Sequence, residues 1–383
     1  MSVKPTQIVI NLKPFSARRR RKAPRRWQAG CTNVESTLHQ LSPYIGKIKS
    51  SIAGDLVSQY SCTDGLIVDP FCGAGTIPLE AAIRGRRVFA SDISPYARVL
   101  CKAKLKPPSS LNAALKFADE VFHESLGIDE PDLRTVPTWV RNFFHPDTLM
   151  EILRFSNIAR RPGNEFLLAC LLGILHHQRP GFLSYPSSHL VPYLRDKKYP
   201  RVEFPEMYSY RELKPRLYAK IHRTYKRFVK PGELGTLFHQ SSIERVKLPN
   251  TFDSLITSPP YMNALDYGRD NRLRLWLIDP DGTQKVDNGV TQKRDKFVAA
   301  IKSLAEKVER GLKSKGYCVV IVGEALRRSF KAHPSELLAA ILRDHAPSLV
   351  LENVITDDIP DVRRTRRDYR AVKTEHILVF RRK

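Results

Sequence analysis

Apolar positions along the chain keep two different periods, and the stretches that keep them alternate. In LSPYIGKIKSSIAGDLVSQY (41–60), Ile48, Ile52, Leu56 and Val57 recur at helical spacing, which predicts an amphipathic helix. GLIVDPF (65–71) reads as a strand; the glycine turn CGAGT follows, then a helix, TIPLEAAIRG, that stops at Gly85. A second strand, RRVFASD (86–92), ends on an acid. Strand, glycine turn, helix, strand, acid is the order of a nucleotide-type site in a parallel sheet.

Between about 108 and 235 the period changes to helical segments broken by prolines, among them FHPDTLMEILRF, NEFLLACLLGILHH and KPRLYAKIHRTYKRF. The strand pattern returns with FDSLI (252–256), and TSPPYMNALDY (257–267) stiffens the backbone where that strand ends. A long helix follows, with Phe297 or Val298, Ile301, Leu304, Val308 and Leu312 on one face, then a strand YCVVIVG (317–323) and a helix SELLAAILRDHA. SLVLENVIT and HILVFRR are close enough to form an antiparallel pair at a sheet edge, joined by the basic loop VRRTRRDYR. No internal repeat is visible. The pattern predicts an α/β fold, a doubly wound Rossmann-like sheet with an antiparallel edge strand, interrupted by a mostly helical insertion. It divides the chain into a basic arm (1–40), a ligand-binding first part (41–107), the insertion (108–235) and a second part of the sheet (236–383).

Charge narrows the partner. Lys and Arg number 64 against 39 Asp and Glu, a net charge of +25, which favours a polyanion. SARRRRKAPRRW (16–27) concentrates it in a segment readable either as a solvated arm or as one that contacts phosphates. No apolar run approaches the roughly 20 residues of a membrane span, and the N-terminus has no secretory pattern, so a cytoplasmic protein is expected. The six cysteines (31, 62, 72, 101, 170, 318) contain no CxxC pair and read as reduced thiols. His176 and His177 would face different ways on a helix, and no metal is expected.

The glycine turn carries the first chemistry. In DPFCGAGT (69–76), Gly73 and Gly75 let the backbone pass close to a ligand, Thr76 can cap the helix, and Asp69 can accept from an amino group. Pro78 stands where a dinucleotide fingerprint needs its third glycine. The octapeptide resembles motif I of the S-adenosylmethionine-dependent amino-methyltransferases of DNA and RNA, whose form is DPFxGxGT. That resemblance implies S-adenosylmethionine as cofactor, with Asp69, Phe71, Gly73, Gly75, Thr76, Asp92 and Ile93 as its contacts and Asp92 on the ribose hydroxyls. LSPYIGKIKSSIA resembles the family's motif X, in which Tyr44 and Lys47 match while Ile48 and Ser50 replace the usual aromatic and proline.

TSPPY resembles motif IV of the same family, [DNS]PP[YFW]. An exocyclic amine of a base is a poor nucleophile because its lone pair is delocalised into the ring. Ser258 Oγ and the Pro259 carbonyl can each accept an N–H and aim that lone pair. Pro259 and Pro260 hold the backbone beforehand, and Tyr261 can stack on a flipped base. No Pro-Cys dipeptide is present, so the C5-cytosine route through a covalent adduct is not indicated. YMNALDYGRDNRLRLWLI (261–278) resembles DNA methylases with an N-x-x-D-Y segment after TSPPY, which makes Asn263, Asp266, Tyr267 and Arg269 candidates for substrate contacts.

The glycine turn and TSPPY are separated by about 180 residues (76 to 257), so the insertion would read the target, with Arg179, Tyr185, His189, Arg195, Lys197 and Lys198 as candidate contacts. Ser258 favours cytosine N4 over adenine N6 by family tendency. LFHQSS (237–242) lacks the family's usual acid, leaving Ser241 or Ser242 to substitute. The resemblance implies DNA as partner, with a cognate restriction endonuclease as a further one. An RNA guanine-N2 enzyme, favoured by DPFCGAGTIPLEAA, and a non-catalytic nucleic-acid binder are the alternatives.

Overall fold

A computed structural model describes residues 17–28, 35–176, 182–184, 199–261, 267–282, 293–325, 334–359 and 372–383. Eight strands form one sheet in the order β1-β7-β8-β6-β5-β2-β3-β4. They are β1 (Arg19–Lys22), β2 (Leu66–Asp69), β3 (Arg87–Asp92), β4 (Thr236–Gln240), β5 (Phe252–Thr257), β6 (Leu312–Ala325), β7 (Leu349–Asp358) and β8 (Val372–Arg382). All neighbours pair in parallel except β8, which runs antiparallel to both β6 and β7.

Side chains of the central strands are buried on both faces. Val68, Leu255, Val320 and Leu378 point into one core, packed by α9 (Arg294–Gly311) and α10 (Pro334–His345). Their neighbours Ile67, Ile256, Val319 and Ile377 point into the other, under α1 (Ser50–Tyr60) and α2 (Thr76–Ile83). This two-sided burial is what a parallel sheet demands of its residues.

Two details differ from the sequence pattern. The antiparallel pair does not close the sheet. β8 lies inside it, and β7's outer side is covered by β1, whose Arg19 to Lys22 pair with Asn353 to Thr356. Over these residues the basic segment is therefore a strand, and Trp27 just beyond it is 1% exposed, its indole donating to Asp55. An edge strand of four charged residues resists further pairing, because a second sheet would have to bury those charges. The helix expected from Leu41 begins only at Ser50, since Pro43 and Gly46 (φ 80°) keep 43–49 irregular.

After β3, α3 (Pro95–Leu105) leads into α4 (Leu111–Leu126), α5 (Pro146–Ala159), α6 (Glu165–Ile174) and α7 (Leu213–Tyr225). These helices share one apolar core with the residues behind the glycine turn. Phe155, Leu171 and Leu217 belong to the same cluster as Leu41, Ala74, Leu79 and Tyr96, and so do Leu273 and Leu277 of α8 (Arg272–Ile278). Gly173 marks the closest approach, where a Cβ would come 2.1 Å from the Leu41 carbonyl oxygen.

Candidate active site

β2 and β5 are neighbours, with Ile67 opposite Ser254 and Val68 opposite Leu255, so the two motifs leave the sheet side by side at its C-terminal edge. Between them opens a cleft, and both motifs line it. Thr257 ties the two together, donating its hydroxyl to Asp69 Oδ1 at 2.6 Å.

The glycine turn is shaped by backbone conformation. Gly73 (φ 46°) donates its amide to Asp92 Oδ2 at 2.9 Å, while Asp92 Oδ1 accepts from Ser94 N at 2.9 Å. Gly75 (φ 69°) is the N-cap of α2 and turns the chain where a Cβ would sit 2.9 Å from Cys101 Cα. Thr76 is consequently the first helical residue and does not cap; it lines the cleft, and its Oγ1 is buried without a hydrogen-bond partner among the described residues. Beneath the turn, Lys104 donates to the Ala74 carbonyl at 2.5 Å, and burial, with Lys47's charge adding, brings its pKa down to about 7.

Burial governs the acids. It pushes Asp69 up to about 7 against the hydrogen bonds from Thr257 and Phe71 N–H, and Asp92 up to about 6 against those from Ser94, Gly73 and Ile93. Each carboxylate is therefore held short of the stabilisation its charge could use. Tyr44 leans over the turn, its ring 5.7 Å from Tyr96 and 6.1 Å from Tyr267. At the other motif, Ser258 Oγ lies 3.3 Å from the Tyr261 hydroxyl, which donates to Glu375 Oε1 at 2.9 Å.

Of the residues singled out from sequence, Tyr44, Asp69, Phe71, Gly73, Thr76, Asp92, Ile93, Ser258, Pro260, Tyr261 and Tyr267 line this one cleft. Gly75 shapes it from behind, and buried Pro259 supplies backbone between two lining residues. Arg269 is exposed on the short helix Tyr267–Asp270 and is not on the cleft wall. Asn263, Asp266, Arg179, Tyr185, His189, Arg195, Lys197, Lys198 and the whole of VRRTRRDYR lie outside the described residues, as does the arm before Ala17. Ser241 and Ser242 are on the wall, and Glu244 brings there the acid that the pattern lacked at its usual place. Glu244 was findable, two residues past the serines. Glu375 was not, being 114 residues from Tyr261 in an ordinary strand.

The wall fits S-adenosylmethionine. Two desolvated carboxylates suit an ammonium and a pair of hydroxyls, Thr76 Oγ1 awaits a partner, and Gly73 leaves room that a Cβ, 3.3 Å from the Tyr44 ring, would fill. Thr76→Val tests the hydroxyl. We expect stability to hold or rise, because an unpartnered buried hydroxyl costs about 1–3 kcal/mol, while cofactor affinity falls about 5- to 10-fold. Thermal melting and a binding titration read the two effects separately.

A profile of the RMKL-like methyltransferase domain (UPF0020) matches residues 42–119. Over 286 residues the chain is 23% identical to the Type II methyltransferase M.MvaI of Kocuria varians, covering 65% of this chain and 59% of that protein. It is 24% identical over 296 residues to the Type II methyltransferase M.BsoBI of Geobacillus stearothermophilus, covering 65% and 54%. The chain thus spans somewhat over half the length of these curated relatives. Among solved structures, TrmN from Thermus thermophilus aligns at a TM-score of 0.36 and 10% identity over 91% of this chain and 53% of that one. The rRNA methyltransferase aviRa from Streptomyces viridochromogenes aligns at 0.32 and 12% over 96% of each. Residues 42–119, which hold the glycine turn, thus resemble a methyltransferase domain, and the chain is similar over 65% of its length, at 23% and 24% identity, to two Type II methyltransferases.

Proposed function

We propose that the chain methylates an exocyclic base amine in DNA, cytosine N4 ahead of adenine N6, by direct transfer to a flipped-out base. The observation that carries the reading is the single cleft in which Ser258 and Tyr261 face Asp69, Gly73 and Asp92. Bound S-adenosylmethionine would supply an electrophilic methyl group on a sulfonium. Asp69 would hold its ammonium and Asp92 its ribose hydroxyls. Ser258 Oγ and the Pro259 carbonyl accept the amine's N–H groups, drawing the nitrogen towards a tetrahedral shape and aiming its lone pair. The Tyr261 ring gives the base a face to stack on. Proximity and orientation carry the rate, since no side chain forms a covalent bond to the base.

The helices of 108–235 would read the target and the basic surface would hold phosphates, making DNA binding steeply salt-dependent. No helix among the described residues is long and apolar enough to cross a membrane. A DNA-modifying role would place the protein in the cytoplasm, on the nucleoid in a bacterium, with an endonuclease of the same specificity as its counterpart. A second reading, guanine N2 in RNA, draws on DPFCGAGTIPLEAA, which lies inside the matched domain. One assay separates them: incubate the protein with labelled S-adenosylmethionine and either duplex DNA or tRNA, then digest and identify the nucleoside. N4-methylcytosine supports the first reading, and N2-methylguanosine in tRNA sinks it.

The raised Asp69 gives a pH signature. Its folded pKa, about 7, lies above the ordinary carboxyl value of 3.8. The folded state therefore keeps a proton that the unfolded state has released, and this group's contribution to stability falls as pH climbs from about 4 to about 7. Pairing with an ammonium needs the ionised form, so cofactor affinity should run the other way. It should rise about fivefold between pH 6 and 7 and level off above about pH 8. Calorimetric titrations at several pH values check this, and Asp69→Asn should flatten the profile.

A further inference from the structure

Beyond Ser258 a hydrogen-bond chain leaves the cleft and reaches a carboxylate. Ser258 Oγ donates to the Tyr261 hydroxyl at 3.3 Å, and that hydroxyl donates to Glu375 Oε1 at 2.9 Å. Tyr261 is 6% exposed, so water does not compete freely for its hydroxyl. Glu375 is half-buried on β8, cross-strand from Gly323 of β6 and Asp357 of β7.

The polarity of this chain follows from its carboxylate. An ionised carboxylate only accepts, so Tyr261 must point its proton at Glu375, and its oxygen is left to receive the proton of Ser258. Ser258 then turns both lone pairs away from its own O–H, free to accept from an amine. Were the chain reversed, Tyr261 would donate to Ser258. The serine proton would swing into the cleft and meet the amine donor to donor.

We propose that Glu375, acting through Tyr261, is a positioning residue that fixes Ser258 as an acceptor and receives the proton the amine gives up on methylation. The inference rests on the amino-methyltransferase reading above. The proton count balances as follows. As the nitrogen gains its methyl group, one N–H bond breaks and its electron pair stays on nitrogen. That proton adds to Ser258 Oγ, the serine's own proton passes to the Tyr261 oxygen, and the tyrosine's proton passes to Glu375. One proton has left the amine and one has reached Glu375, which returns it to solvent. Burial and the Glu375 charge hold the Tyr261 phenol well above its ordinary pKa, so Tyr261 passes a proton on and does not store a negative charge.

Glu375→Gln keeps the shape but adds a donor that permits the reversed chain. We expect kcat for DNA methylation to fall about 10- to 100-fold, with the KM for S-adenosylmethionine within about twofold of wild type. Glu375→Asp should recover part of the loss. Tyr261→Phe should show a similar loss, and the double variant should be no worse than the poorer single one, because both break one chain. A readout free of turnover is the 13Cζ NMR signal of Tyr261, assigned by its absence in Tyr261→Phe; its titration midpoint should drop in Glu375→Gln.

Full kcat in Glu375→Gln overturns the proposal, as do losses that multiply in the double variant or cofactor affinity that falls in step with kcat. A wild-type protein that methylates RNA and not DNA sinks the DNA reading alone, and the same variants then decide the chain on RNA. A wild-type protein inactive on both overturns the two together.

Discussion

Ser258→Ala should lower kcat about 100- to 1000-fold while cofactor affinity stays within about twofold of wild type. The size follows from comparable losses when one preorganised polar group is removed from a reacting centre. An amine conjugated to a base ring presents a planar nitrogen with little lone-pair density. On the proposed function, two acceptors on its N–H groups shift that density, and Ser258 is the one that mutation can remove, because the other is the backbone carbonyl of Pro259. That carbonyl remains in the variant, so some rate should survive. The cofactor side of the cleft is untouched, since Asp69, Asp92 and Thr76 stand on β2, β3 and α2. Single-turnover methylation measured beside a cofactor titration separates the two effects. A variant with unchanged kcat would strip Ser258 of its acceptor role.

Gly75→Ala should cost about 3 kcal/mol of folding stability. Two contributions add at this position. The left-handed conformation (φ 69°) costs an L-residue about 1–2 kcal/mol. The new methyl would sit 2.9 Å from Cys101 Cα and 3.0 Å from its Sγ, so α3 would have to move, and overpacking of this kind costs about 1–3 kcal/mol. Gly85 supplies the control. It has the same φ of 69°, but a methyl added there would meet nothing within 4 Å, so Gly85→Ala should carry the backbone cost alone. Urea unfolding midpoints of the two variants give the difference directly. Equal losses would show that the approach of α3 is slack.

The middle of the fold is legible in the sequence because its strands are buried on both faces and end in glycine, proline or acidic signals. β2, β3 and β5 announce themselves this way, and their shared edge brings DPFCGAGT and TSPPY together. β1 gives no such signal. RRRK has no apolar alternation, and its place in the sheet comes from backbone pairing with β7 rather than from side-chain burial. In the motif X stretch the apolar spacing starts a helix too early, and the irregular 43–49 is what sets Tyr44, Lys47 and Ile48 on the cleft wall. Thr76 looks like a cap in sequence, yet the left-handed Gly75 takes that place and leaves the hydroxyl buried without a hydrogen-bond partner among the described residues. Glu375 belongs to contacts that only the folded sheet creates, since β8 enters between β6 and β7 from the far end of the chain.

The continuous core behind the glycine turn has an evolutionary consequence. Where a target-reading segment is a separate body, new sequence specificity can be acquired by exchanging the whole segment between relatives. Here Phe155, Leu171 and Leu217 pack in one cluster with Leu41, Ala74 and Tyr96, and Gly173 has no room for even a methyl group against Leu41. A transplanted helical region would have to match that surface atom for atom or loosen the cofactor turn. On the proposed function, changes of target should therefore accumulate as point substitutions on the outer faces of the helices, with the inner faces held fixed, and cassette swaps should yield chains that do not fold.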